Sequence, residues 1–300
     1  TLEIRNVNFS QGALYNATRT CSCSGIVRFK DSYGLRAGHY FEEDDGTYSG
    51  GKIVWTYTTP TLFWTGADDT RWDNPLNWNP EAIPDANSII FIQSGMPRYP
   101  NINSTFVSTE AAIKRLTIYS GASVTLSDNK DLRISENFDN GGSFVVTNGS
   151  NSTIKVGGTF SSNGTFANGG SSTLEFNSTN NIELTFGSAT PYNLRLNSGN
   201  GTGTAQFSTR SAITIQGNFE INAGTLVVTN SSHTITIAGN FVNNSGFTHG
   251  NGTFVLNGNS SQSINNAFGS NFFNLQLSGN GEKTLLTNVS ILKDLTIGAI

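Results

Sequence analysis

The sequence predicts an all-β chain folded as a parallel β-helix, a solenoid with coils of about 20 residues and an 81-residue super-repeat. Composition, internal repetition and period-two alternation carry that prediction. Asn (37), Ser (34), Thr (35) and Gly (33) make up 139 of the 300 residues, whereas Asp, Glu, Lys and Arg together are 13%. Ordinary globular domains run near ~25% charged, and the surplus of β-branched Thr, Val and Ile favours strands. The 36% hydrophobic content with 20 Phe is too much apolar surface for a disordered chain.

The repeat is read directly from the residues. Glu136-Asn137-Phe138 returns as Gly217-Asn218-Phe219, Ile154-Lys155-Val156-Gly157-Gly158-Thr159-Phe160 as Ile235-Thr236-Ile237-Ala238-Gly239-Asn240-Phe241, and Asn193-Leu194-Arg195-Leu196 as Asn274-Leu275-Gln276-Leu277. Each offset is 81. Phe138 and Phe160, then Phe219 and Phe241, are 22 apart, so four units of about 20 residues are expected to fill the super-repeat. Repeats of this length stack, because one unit cannot bury its apolar face alone. Segments such as His233-Thr-Ile-Thr-Ile237 alternate as half-buried strands do, and the Asn, Gly and Ser clusters between them suit tight corners. No apolar stripe at helical spacing competes with them. A propeller blade needs ~40 or more residues, about twice the shorter period.

Along the chain, residues 1–60 read as the end of a preceding β-helical or all-β module, with Leu2-Glu3-Ile4-Arg5, Val27-Arg28-Phe29 and Ile53-Val54-Trp55 as strands. Residues 61–115 form a Trp-rich connecting or capping segment, and 116–300 the repeat domain, truncated at its C-terminal end. Residues 1–115 hold 22 of the 38 charges, all four Trp and both Cys. The strand-like beginning and end predict a piece of a longer protein.

One resemblance follows from the order of several words. The segment Phe63-Trp64-Thr65-Gly66 through Trp72 to Asn77-Trp78, then Ile83-Pro84-Asp85, Tyr99-Pro100, and Leu116-Thr117-Ile118-Tyr119-Ser120-Gly121-Ala122-Ser123-Val124-Thr125-Leu126, resembles β-helical modules of large secreted and cell-surface proteins of Bacteroidota. That resemblance implies a right-handed β-helix in an adhesin-like, multi-module protein exported by the type IX secretion system. It brings no catalytic motif.

Candidate sites are few. Trp64, Trp72 and Trp78 are candidates for a carbohydrate or surface platform, with capping of the solenoid end as the competing and favoured role. Asp44 and Asp45, in the run from Glu42, and Asp68 and Asp69 offer the oxygen ligands that calcium prefers, but they match no EF-hand or β-roll pattern. No cofactor is expected, and calcium is the one ion these groups suit. Cys21 and Cys23 with His39 fall short of a zinc pattern, and His233 and His249 read as surface positions of the repeat.

The net charge of -4 and pI near 5.4 give no basic footprint for nucleic acid, and no apolar run is long enough to insert in a membrane. Acids do not recur at the coil interval, so the carboxylate pair of a polysaccharide-cleaving β-helix is not visible. Thr-x-Thr pairs such as Thr234-Ile-Thr236 raise an ice-binding alternative, for which only scattered examples stand out. The expected function is a non-enzymatic, extracellular stalk or adhesin-like segment. Its expected partners are neighbouring modules of the same chain, glycans and host or abiotic surfaces. The alternatives are a polysaccharide-degrading enzyme or carbohydrate-binding accessory domain, and a self-assembling filament subunit.

Overall fold

The structure is a computed structural model, and it describes residues 2–5, 27–30, 61–103, 110–127, 129–147, 151–199 and 205–298. Leu2–Arg5 and Val27–Lys30 form a two-stranded parallel pair. The strand expected at 53–55 lies outside the described residues. From residue 61 onward the chain is a β-solenoid of about eight turns. It visits three faces in a fixed order.

The first face is a ten-stranded sheet running from Thr61–Trp64 to Phe247–Thr248. The third face is a nine-stranded sheet from Glu110–Ile113 to Lys283–Leu285. Between them, the second face has four strands from Asn101–Ile102 to Thr165–Asn168 and five from Ile213–Ile215 to Ile291–Ile297. The two parts meet where Ala167 bridges Thr190 and the Gln216 N–H donates to the Pro191 carbonyl at 3.0 Å. Proline brings no N–H to a ladder, and no regular second-face strand is present in that turn among the described residues.

Neighbouring strands on every face pair in parallel, the exception being Trp78–Asn79, which runs antiparallel along the edge of Thr61–Trp64. The composition break near residue 115 is not a break in the sheets. Ile89–Ile92 joins Thr61–Trp64 to Arg115–Ile118, so the coils begin inside the segment expected to connect or cap.

Alternation in the sequence becomes alternation in burial, with inward columns of Leu, Ile, Val and Phe. Phe138 packs edge-on against Phe160 at 5.6 Å between ring centroids, and Phe219 lies against Phe241 at 5.5 Å. The corners are held by amides: Asn193 Oδ1 accepts the Asn218 N–H at 2.9 Å, and Asn218 Oδ1 accepts the Asn240 N–H at 2.8 Å. Gly164 marks a tight corner, where a Cβ would lie 2.0 Å from the Gly142 carbonyl oxygen. These ladders account for much of the Asn- and Gly-rich composition.

The super-repeat relates to the coils differently from the expectation of four units. Common inter-coil pairings such as Phe138 with Phe160 are 22 residues long, and 81 over 22 is about 3.7 coils. Phe138 lies on the first face and Phe219 on the third, while Ile154 lies on the third and Ile235 on the second. Each copy therefore advances three and two-thirds coils and lands one face away. The interior tolerates this, since Phe138, Phe219, Ile154 and Ile235 are all fully buried.

Candidate functional site

The Trp-rich segment leaves the first coil as a compact loop between Trp64 and Trp78, which face each other across the antiparallel pair. Trp64, Trp72 and Trp78 are 1%, 3% and 1% exposed, and Trp78 meets the other two edge-on at 4.9 and 5.0 Å. The Trp64 Nε1–H donates to the Arg98 carbonyl at 2.7 Å, and the Trp78 Nε1–H to the Trp72 carbonyl at 2.9 Å. No indole face is left for a sugar to stack on in this arrangement. The three rings instead extend the interior to the end of the first sheet, where Trp78–Asn79 covers the edge of the strand carrying Trp64. Gly66, at φ +59°, makes the turn possible, because a Cβ there would sit 2.3 Å from the Arg98 carbonyl oxygen.

The loop is organised around Asn77, which is fully buried. Its Oδ1 accepts the N–H groups of Asp68 and Asp69, both at 3.0 Å, while its Nδ2 donates to Asp69 at 2.6 Å and to the Arg71 carbonyl at 3.1 Å. Asn74 Nδ2 donates to the Asp68 carboxylate at 2.8 Å. Burial pushes the Asp69 carboxyl up, but the Arg71 N–H, the Asn77 and Asn74 side chains and the Arg71 charge outweigh it and hold the group below the ordinary aspartate value. Both carboxylates thus serve as acceptors that fix the loop.

No group of three or more His, Cys, Asp or Glu side chains suited to a metal ion occurs among the described residues. Glu42, Glu43, Asp44, Asp45, Cys21, Cys23 and His39 lie outside the described residues. His233 and His249 belong to different turns. His249 Nδ1 accepts the Asn251 N–H at 3.0 Å, and its ring stacks on Phe273 at 5.4 Å.

The outer surfaces of the three faces differ in kind. The third face carries charge in columns: Glu110 bridges Arg133 at 3.3 Å and Lys155 at 3.2 Å, and Arg195 bridges Glu175 at 3.1 Å and Glu220 at 2.9 Å. The first face begins with an aromatic run, in which Phe63 stacks on Phe91 at 5.2 Å and Phe91 on Tyr119 at 6.3 Å. Polar residues such as Asp139 and Ser161 follow.

The second face is neutral from Ser123–Leu126 through Phe272–Leu277, and its last strand, Ile291–Ile297, brings in the exposed pair Lys293 and Asp294, with Asp294 beside Asn274. One outward column reads Thr125, Val145, Ala167, Thr190, Thr214, Thr236, Val255 and Gln276, each beside the next on the adjoining turn. A parallel column begins Ser123, Ser143, Thr165 and resumes as Thr234, Thr253, Asn274. Ser188 and Ala212 stand two residues before Thr190 and Thr214, at the matching sequence positions. Linear spacing hid these columns, because the step from one residue of the first column to the next varies from 19 (Thr236 to Val255) to 24 (Thr190 to Thr214).

The model of one family, described as a domain of unknown function (DUF8693), matches residues 63–186, from the Trp-rich loop into the first copy of the super-repeat. No curated protein and no solved structure matches the chain. By sequence this chain is similar, over that span, to a family known by its domain alone.

Proposed function

We propose that this chain is a non-enzymatic, rod-forming stalk or adhesin-like segment of a large bacterial secreted or cell-surface protein, in line with its resemblance to the exported modules of Bacteroidota. It works outside the cell, needs no cofactor, and holds neighbouring modules of its own chain at a distance while offering its outer faces to glycans or surfaces. The observation that carries this reading is the single buried column running from Leu62 to Leu275 through about eight turns. At an inter-strand spacing of ~4.8 Å, eight turns make a rod of roughly 40 Å whose backbone hydrogen bonds lie along the axis. The paired third-face carboxylates support a structural role too, because Glu175 and Glu220 are held by Arg195 and not poised as an acid and a base.

The test is to measure protease resistance, rod length in solution and turnover of a panel of neutral and acidic polysaccharides with the same preparation. A protease-resistant rod that cleaves none of them is the expected result. Cleavage of any one would overturn the reading.

A further inference from the structure

We propose that the second face is an ice-binding surface, its ligand the ordered water at the surface of an ice crystal. The inference rests on the reading of the rod as a contact-making segment, and it names the surface contacted.

Three observations carry it. The outward positions from Ser123–Leu126 through Thr253–Leu256 hold Ser, Thr, Val and Ala, with neither a charged nor an aromatic side chain among the described residues of those strands. The column from Thr125 to Gln276 is in register across eight turns, and its neighbour is in register on either side of the turn at Thr190. They repeat about every 4.8 Å along the axis and, from one outward residue to the next on a strand, about every 6.6 Å.

The third observation comes from the duplication. Thr153-Ile-Lys155-Val156 on the third face returns as Thr234-Ile-Thr236-Ile237 on the second, Thr173-Leu-Glu175-Phe176 as Thr253-Phe-Val255-Leu256, and Asn193-Leu-Arg195-Leu196 as Asn274-Leu-Gln276-Leu277. The inward residues stay apolar and the first outward residue is unchanged. The second outward residue loses its charge each time the word lands on the second face. Over these turns neutrality therefore belongs to the face and is not inherited from the repeated sequence.

Chemistry narrows the occupant. The charge-free stretch of this face from Ser123 to Leu256 gives an anionic polymer or lipid surface nothing to pair with. Over that stretch, short hydroxyls beside methyl groups offer no aromatic ring to stack on a pyranose and no carboxylate, amide or guanidinium to grip a vicinal diol; such groups stand toward the two ends, at Asn101 and at Asn274, Gln276 and Asp294. Packing this face against a second copy would bury rows of hydroxyls without partners, at a cost for each. Ordered water meets both requirements, accepting and donating to the hydroxyls while fitting around the methyls.

The experiment grows an ice crystal slowly from a solution of the fluorescently labelled chain and measures the fraction taken into the ice. Four variants run beside the wild type: Thr236→Lys, which restores the charge its twin carries, Val145→Lys, Thr214→Tyr, which adds bulk without charge, and Lys155→Thr on the third face as control. Unfolding curves establish that each is folded. The wild type and Lys155→Thr are expected to enter the ice. The lysine variants should fall at least about tenfold, because an unpaired ammonium pressed against the lattice costs more than the ~1.4 kcal/mol that a factor of ten requires.

Exclusion of the wild type from ice overturns the proposal, as does undiminished entry of the folded second-face variants. Binding to crystalline cellulose in place of ice, or a dimer abolished by Thr236→Lys, overturns it too by naming another occupant. None of these results touches rod length or protease resistance, so failure here is distinguishable from failure of the stalk reading.

Discussion

Thr153–Val156 and Thr234–Ile237 are one segment written twice, 81 residues apart, yet the first lies on the third face and the second on the second face. Inside, the two are interchangeable: Ile154 and Val156, like Ile235 and Ile237, are fully buried. Outside they diverge, with Lys155 paired to Glu110 and its counterpart Thr236 in a neutral column. The difference separates two demands on the same sequence. At these inward positions the sequence is asked only to be apolar and to fill space, which both faces satisfy. An outward position answers to whatever that face meets.

If the interior is equivalent between copies, matched deletions should cost the same. Phe160 touches the rings of Phe138, Phe166, Phe176 and Phe186 at 5.3–5.8 Å, and Phe241 those of Phe219, Phe247, Phe254 and Phe272 at 5.5–6.0 Å. Phe160→Ala and Phe241→Ala are each expected to destabilise by about 3–5 kcal/mol in denaturant unfolding. A gap of more than about 1.5 kcal/mol between them, well beyond ordinary scatter, would break the equivalence.

Asn77→Ala tests a described region that has no copy. Removing the Asn77 amide strips the acceptor from two backbone donors and should cost about 2–4 kcal/mol, read as loss of near-ultraviolet signal from the tryptophans before the coils melt. Simultaneous melting of loop and coils would mean that the loop is integral to the first turn.

Giving the first copy the outer residue of the second sharpens the contrast between faces. Arg195→Gln leaves Glu175, 7% exposed, without its guanidinium and should cost about 1–2 kcal/mol at low salt. Gln276→Arg should cost less, because no carboxylate column awaits it. Unfolding midpoints at two salt concentrations measure both.

The smallest expected effect is on acid sensitivity. Asp69 is held below its ordinary value of 3.8, so its contribution is present above that pH and lost as pH falls further through the folded-state value. Asp69→Asn should lower stability at neutral pH, where the ionised group contributes, and flatten the acid limb below about pH 4, where wild type and variant converge. A limb as steep as the wild type's would show that other carboxylates dominate, Glu136 among them, which Arg115 and Lys114 also hold low.

The solenoid was legible because burial at every second residue writes itself into the sequence, and Phe138, Phe160, Phe219 and Phe241 keep their spacing of 22 wherever they land. Which face each word occupies was not legible, since it depends on summing unequal coils. The same unevenness hid Lys155, Glu175 and Arg195 as one charged column and left the Thr-x-Thr pairs looking scattered. The tryptophans were conspicuous as residues, but their direction was not. Trp64 and Trp78 point inward because they fall in the buried phase of their strands, a matter of one residue's register.

The turn by one face per copy has a consequence for anyone lengthening this rod by consensus. Three copies, 3 × 81 = 243 residues, span 3 × 3⅔ = 11 coils before a given word returns to its starting side. A consensus unit repeated in tandem would wind its lysine, glutamate and arginine around the rod like the stripe on a barber's pole. Each side would receive them in turn, and no uniform strip would survive. Averaging the copies would preserve the fold and erase the pattern on its surface. Design here has to proceed side by side, with the unit of specification the column and not the repeat.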